Sequence, residues 1–257
     1  TVGPAAGRLA CDRIGTGRMA SPQHILSQLY SLLHSRGQRD LTGKRLLIST
    51  GSTREYVDAV RFIGNPATGR MGLALAQAAL HRGADVTLVH GPMEAALQAQ
   101  IPDSLQTIAV DSAAQMANAL EAKLPLHDWL IMAAAVADVR PLHTHQNKLP
   151  KAQLPNSLPL ATVPDIVAQL AQQRRPDQRM IGFAAQTGDI IAPAAAKLIR
   201  KGLDAIVANP IDQPSSGFGE DTNQAVVLSA SGEQTAIPTG SKLSVAHQIM
   251  DCLVQML

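Results

Sequence analysis

The chain has 257 residues, a net charge of +2, 46% hydrophobic and 16% charged residues, which fits an ordinary folded globular chain and excludes both a disordered segment and a polyanion-binding surface. Aromatic residues make up 2%, too few to stack successive bases, so no nucleic acid is expected as a partner. No apolar run approaches the ~20 residues of a membrane span and no signal sequence opens the chain, so a cytoplasmic protein without membrane contact is expected.

Residues 1–20 hold four glycines and no periodicity, and read as an extended or looping arm without a core of its own. Ser21-Pro22 marks a helix start, and Ile25, Leu26, Leu29, Leu32 and Leu33 recur on one face until Gly37 stops the helix, predicting that this face packs on something. A polar linker, Gly37 to Gly43, suggests a boundary, with 1–43 as the tail of one domain and 44–257 as another. From Lys44 onward strand-like runs near 44–49, 84–90, 105–110, 127–134, 179–184 and 204–208 alternate with helical patterns near 68–82, 112–123, 164–173 and 190–201. Such alternation predicts an α/β, doubly wound, mostly parallel sheet of Rossmann-like type, with ligands at the carboxyl ends of the strands. Gln224 to Leu228 and Gln234 to Ile237 predict a C-terminal β-hairpin, and Ser241 caps a last helix. Between Val136 and Val163 lie four prolines and no apolar period, which predicts a long flap loop.

Chemistry concentrates between Arg45 and Pro92. Gly64, Gly69 and Gly72 precede or open a helix whose free N–H groups suit an anion, although glycines there also serve close packing on a sheet. The turn is not G-x-G-x-x-G, the next strand ends in His90-Gly91-Pro92 rather than a ribose-binding carboxylate, and neither Tyr30 nor Tyr56 has a lysine four residues on, all of which count against an NAD(P)-dependent oxidoreductase. Gly64 to Gly69 has P-loop spacing, but Arg70-Met71 replaces the Lys-Ser/Thr pair. Arg54, Arg61, Arg70, Lys148, Lys151, Lys197 and Lys201 are distributed to suit a polyphosphate. His143 and His145 lack supporting ligands at metal spacing, and Cys11 and Cys252 are too far apart in sequence for a zinc site or disulfide framework.

The segments STGSTREYVDAVRFIGNPATGRMG, IMAAAVADVRP, NKLPK, VPDIVAQL, MIGFAAQTGD, AKLIRKGLDAIVAN and FGEDTN, in that order, resemble phosphopantothenate–cysteine ligase of the bacterial CTP-dependent kind. The arm GPAAGRLACDRIGTGRMASP resembles the final segment of the flavin-dependent phosphopantothenoylcysteine decarboxylase, with Cys11 on that enzyme's acid cysteine; its FMN-binding body is absent here, so decarboxylation by this chain alone is not expected. The opening at Thr1 suggests that an upstream part is missing. The resemblance implies a homodimer that joins 4′-phosphopantothenate to L-cysteine using CTP and Mg²⁺. It puts nucleotide contacts at Met132, Ala133, Ala134, Asp138, Lys148, Pro164, Asp165, Ile166, Val167, Phe183, Lys197 and Lys201, and at Gly51, Ser52, Thr53, Gly69 and Arg70; Asn65 on the acyl intermediate, Arg61 close by and Lys148 are the catalytic candidates. Against the usual pattern, Ser52 replaces proline, Arg70 replaces lysine, Pro150 interrupts the lysine segment, Asp12 replaces glycine and Gln186 replaces a glutamate, the last leaving the Mg²⁺ ligands unassigned. A nucleotide-binding module without catalysis is the non-enzymatic alternative, against which Asn65 and Lys148 count.

Overall fold

A computed structural model describes residues 2–213, 217 and 219–257. Phe218, which opens the FGEDTN segment, lies outside the described residues. The arm is more regular than its composition suggests: β1 (Ala5–Arg8) and β2 (Ile14–Arg18) pair antiparallel around a turn that carries Cys11. Helix α1 (Pro22–Ser35) starts where Ser21 accepts a bond from the His24 N–H, and ends at Arg36 in the left-handed region.

The remainder follows the strand–helix alternation. In chain order come β3 (Arg45–Thr50), a small hairpin of β4 (Arg54–Tyr56) and β5 (Phe62–Gly64), α2 (Arg70–His81), β6 (Asp85–His90), α3 (Ala95–Gln98), β7 (Gln106–Ala109), α4 (Ala113–Lys123) and β8 (Trp129–Met132). Then follow β9 (Val139–Pro141), β10 (Leu160–Thr162), α5 (Ile166–Gln173), β11 (Arg179–Gln186), α6 (Ile191–Arg200), β12 (Ala205–Pro210), β13 (Thr222–Ser229), β14 (Gln234–Ser241) and α7 (Lys242–Met256).

Eight strands form one sheet in the order β7-β6-β3-β8-β11-β12-β13-β14. Those from β7 to β12 run parallel and the terminal hairpin is antiparallel. The parallel part reads third, second, first, fourth, fifth, sixth in chain order, so the winding reverses between β3 and β8, and a doubly wound sheet opens its crevice there. Strand β3 is buried from Leu46 to Thr50 and its middle, Leu46 to Ile48, is apolar because both faces are covered: Leu46 and Ile48 pack with α2 and α7, while Leu47, one residue out of phase, packs with α4 and α5.

The flap is not structureless. Near its two ends β9 and β10 form an antiparallel ribbon, and the connection between them is a loop interrupted by one 3-10 turn at Lys151–Gln153. Helix α1 also corrects the expectation that its apolar stripe is the packed face, since Leu26, Leu29, Leu32 and Leu33 are all exposed, Leu33 to 66%. The face turned to α2 and α7 is polar. Ser31 Oγ donates to the Ser27 carbonyl and so can only accept from His81 Nδ1 and from His247 Nε2, the latter at 2.7 Å. The remaining ring nitrogens, His81 Nε2 and His247 Nδ1, are buried without partners among the described residues, as befits neutral imidazoles whose bare nitrogen carries no proton. Next to them the buried Arg82 side chain bonds Asp40 at 2.7 Å, Asp251 at 2.7 Å and the His247 carbonyl at 3.1 Å, tying the linker to α2 and α7.

Burial lowers both histidines to about 4, with His24 adding to the effect on His81 and the nearby His34 and Arg82 to that on His247. The unfolded chain therefore takes up these protons first, so stability is full above about pH 6.5 and falls as the pH drops toward 4, by up to about 1.4 kcal/mol per pH unit for His247. Urea denaturation at pH 7 and pH 5 checks this: the midpoint should fall on acidification, and His247→Asn should flatten the dependence. An identical slope in the variant would show that His247 is not the group responsible.

Candidate functional site

Past the carboxyl ends of β3 and β8 the two chains stay zipped together. The Ala133 N–H bonds the Ser49 carbonyl at 3.2 Å, the Ala135 N–H bonds the Gly51 carbonyl at 2.8 Å, and the Thr53 N–H returns to the Ala135 carbonyl at 3.3 Å. Thr53 Oγ1 accepts from the Ala137 N–H at 3.0 Å and Ser49 Oγ from the Ala134 N–H at 3.3 Å. This ladder forms the floor of a cleft of about 620 Å³, flanked on one side by the start of α2 and on the other by β11, α5 and α6.

The start of α2 is shaped by two glycines with different tasks. Gly69 is the N-cap at φ +88°, a conformation that disfavours any Cβ, and it offers no side chain to cap the first turn. Gly72 faces Thr50 so closely that a Cβ would lie 2.2 Å from its Oγ1, and so serves the packing of α2 on β3. The uncapped N–H groups open on the cleft, the positive end of the helix dipole with them. Arg70 lines the same wall and is ion-paired with Asp221.

Across the cleft, Lys197 on α6 donates to the Phe183 carbonyl at 2.8 Å. Burial, reinforced by the adjacent Lys201, lowers its pKa to about 8. Lys201 pairs at 3.0 Å with Asp165, which also caps α5 by accepting from the Ala168 N–H at 3.1 Å. Burial opposes the charge on Asp165, but Lys201 and the capped N–H outweigh it and lower the pKa. Asn65 lies at the rim, its amide donating to the Val136 carbonyl at 3.2 Å and leaving one N–H and the amide oxygen uncommitted by that bond.

Of the residues singled out from sequence, the cleft brings together Gly51, Asn65, Gly69, Arg70, Met132, Ala133, Ala134, Asp138, Pro164, Asp165, Ile166, Val167, Phe183, Lys197 and Lys201. Five others stand elsewhere. Ser52 and Thr53 are buried in the ladder beneath the cleft, and Cys11 is exposed in the arm. Arg61 is ion-paired with Asp58, and Lys148 is exposed on the flap. The flap rests on the β4–β5 hairpin through a clamp not foreseen from sequence: Asp58, fully buried, accepts from the Leu149 N–H at 3.1 Å, while Arg61 donates to the Leu149 carbonyl at 3.3 Å. Burial works against the Asp58 carboxylate, yet the N–H groups of Val60, Leu149 and Arg61 and the Arg61 charge hold its pKa at about 2. The signal for Asp58 was in the sequence, since Asp two and three residues ahead of the N–H groups that it accepts is an Asx turn. Asn209, Asn223 and Lys242 also line the cleft without having been singled out.

The fold and cleft together define a doubly wound α/β protein with a crevice at its switch point, lined by Arg70 on one wall and by Lys197 and Lys201 on the other. The sequence profile of the DNA/pantothenate metabolism flavoprotein C-terminal domain family matches residues 41–257, and the chain belongs to that family. It is 38% identical over 266 residues, 99% of this chain and 63% of the relative, to the Coenzyme A biosynthesis bifunctional protein CoaBC of Mycobacterium tuberculosis. It is also 38% identical over 249 residues, 96% of this chain and 68% of the relative, to a Cysteine/Cysteine sulfinic acid decarboxylase of an unknown prokaryotic organism. Among solved structures, that of the C-terminal domain of Coenzyme A biosynthesis bifunctional protein CoaBC superposes with a TM-score of 0.71 at 33% identity, covering 85% of this chain and 98% of that one. The chain spans about three fifths of the CoaBC relatives' length, 63% for the one from M. tuberculosis.

The Asp58 clamp should govern the mobility of the flap. In Asp58→Asn the charge holding Leu149 is gone, so amide exchange at Leu149 should accelerate about tenfold or more while β3 and β8 keep their protection. Unchanged exchange in a folded variant would show that the clamp does not restrain the flap.

Proposed function

We propose that this chain is a CTP-dependent ligase that joins 4′-phosphopantothenate to L-cysteine through an acyl-cytidylate, in coenzyme A biosynthesis. The observation that carries the reading is a single cleft lined at once by Lys197 and Lys201, by Asn65, and by the open start of α2 with Arg70. The family membership and the CoaBC relatives support it. The oxidoreductase alternative lacks its acceptor: β6 ends in His90, which is buried and bonded to the Gly91 carbonyl, where a ribose carboxylate would stand.

In the first step a carboxylate oxygen of the substrate attacks the α-phosphorus of CTP. The bond to the bridging oxygen breaks and its electron pair leaves on pyrophosphate. Lys197 and Lys201 offset charge on the triphosphate and leaving group, and Asp138, Phe183 and the Pro164–Val167 turn provide the surroundings of the base. In the second step the amine of cysteine attacks the acyl carbon, the bond to the CMP oxygen breaks, and the amine loses a proton to solvent. Asn65, a neutral donor, meets the oxyanion that develops on the acyl oxygen. For Lys148 to act on the nucleotide, as its resemblance implies, Leu149 has to leave the Asp58 clamp. Among the described residues no group of three His, Cys, Asp or Glu side chains forms a metal cage, and Mg²⁺ is commonly held by the substrate's phosphates with one or two carboxylates. Of the two carboxylates named in the cleft, Asp165 is held by Lys201 and Asp138 is placed at the base, so the ion would be held mainly by the triphosphate oxygens, where it would supply charge neutralisation.

We assign the homodimer to the same face as the flap, because Val60, Phe62, Leu142 and Leu160 expose apolar surface on the adjoining hairpin and ribbon. Residues 1–43 are read as the tail of a flavin-dependent decarboxylase domain, with FMN and Cys11 belonging to that activity.

Pyrophosphate release from CTP should require 4′-phosphopantothenate, and amide formation should require cysteine, with CTP used in clear preference to ATP. Asn65→Asp places a negative charge beside the developing oxyanion and should slow amide formation by about 10²–10³ while CTP affinity stays within about tenfold, so that acyl-cytidylate accumulates in quenched single-turnover mixtures. Normal amide formation by the folded variant would remove Asn65 from the mechanism, and equal use of ATP would remove the nucleotide assignment.

A further inference from the structure

Lys242 is the first residue of α7, directly after the N-cap Ser241, and its side chain has no place in the reading from sequence. The residue is 9% exposed, lines the cleft, and lies close enough to Arg70 to feel its charge. Its ammonium donates to the Thr222 carbonyl at 3.2 Å, a single neutral acceptor for a group with three N–H bonds. Among the described residues no carboxylate forms an ion pair with it. Three separate costs meet at this position. A lysine is taken out of water, it stands at the positive end of a helix, and a second cation, Arg70, is close enough to repel it. Burial first and Arg70 second lower its pKa, with Asp221 and Glu220 in partial opposition. A buried cation in such surroundings is complemented by an anion that is part of the working complex.

The cleft has a second set of cations, Lys197 and Lys201, on the wall formed by α6, so a triphosphate there leaves the Lys242 end to another anionic group. On the reading given under Proposed function, from which this inference proceeds, the acid substrate carries a phosphoryl group at the end remote from its reacting carboxylate. We propose that Lys242 is a specificity-determining residue for that phosphoryl group, its ammonium meeting the dianion between the start of α2, Arg70 and Asn223. Selection of the phosphorylated acid over the unphosphorylated one then rests on a charge-assisted hydrogen bond in a water-poor corner.

The test compares wild type, Lys242→Met and Lys242→Arg in pyrophosphate release and amide formation at saturating CTP and cysteine, with 4′-phosphopantothenate and with pantothenate. Methionine fills the buried stem volume without the charge. It should raise the KM for 4′-phosphopantothenate about 10- to 100-fold, leave kcat within about threefold, and leave the KM for pantothenate and for CTP unchanged, so that discrimination falls by the same factor. Arginine should recover most of the discrimination. A folded Lys242→Met that discriminates as well as wild type, or that weakens both acids equally, would overturn the proposal and reduce Lys242 to a partner of the Thr222 carbonyl. Should methionine prevent folding, Lys242→Gln carries the same expectations. If wild type releases no pyrophosphate with these substrates, the ligase reading fails on its own; calorimetric binding of 4′-phosphopantothenate then decides, weaker binding in the variant supporting the Lys242 site and equal binding overturning it.

Discussion

The parallel pairing of β3 with β8 is the constraint on which the rest depends. These are the first and fourth strands of the parallel sheet, and because winding proceeds outward from them in opposite directions, their following segments leave toward opposite faces. A crevice at that point is a consequence of topology. What this chain adds is a floor that does not splay open, since backbone and hydroxyl bonds hold the residues after β8 to those after β3 as far as Ala137. Ser52 and Thr53 are spent on that task, which is why they lie below the cleft and not along its wall.

On this rigid base, charge is arranged with little surplus. Lys201 is paired with Asp165, Arg70 with Asp221 and Arg61 with Asp58, so several cations of the region are held in place by carboxylates. Lys197 and Lys242 differ, since each is largely buried and each bonds a neutral carbonyl. They stand on opposite sides of the switch point, one on α6 and one on α7, and mark the two ends at which an anionic ligand completes the protein's own electrostatics.

Sequence periodicity captured the central sheet because its inner strands carry short apolar runs covered on both faces, such as Leu46 to Ile48 and Trp129 to Met132, and because Ser21, Ser241 and the glycines punctuate the elements chemically. Most of the cleft was legible through the resemblance of its segments to a known ligase. The failures have a common physical origin in long-range polar contacts. Leucines of α1 were read as a packed face, whereas Ser31, bonded to His81 and His247 from distant helices, decides its orientation. The arm and flap have too little apolar alternation to signal β1, β2, β9 and β10, whose pairing is mainly backbone hydrogen bonding. Lys242 looks like any lysine following a serine cap, and only the approach of β13 and α2 to the start of α7 buries it.

The central claim is that the cleft couples carboxylate activation at the α-phosphorus of a nucleotide to amide formation. Oxygen-isotope transfer tests it directly. With 4′-phosphopantothenate labelled with ¹⁸O in its carboxylate, CTP and cysteine, one labelled oxygen should appear in the phosphate of CMP and none in pyrophosphate. Label in inorganic phosphate, as activation at the γ-phosphorus would give, or an amide product formed with unlabelled CMP, would contradict the account.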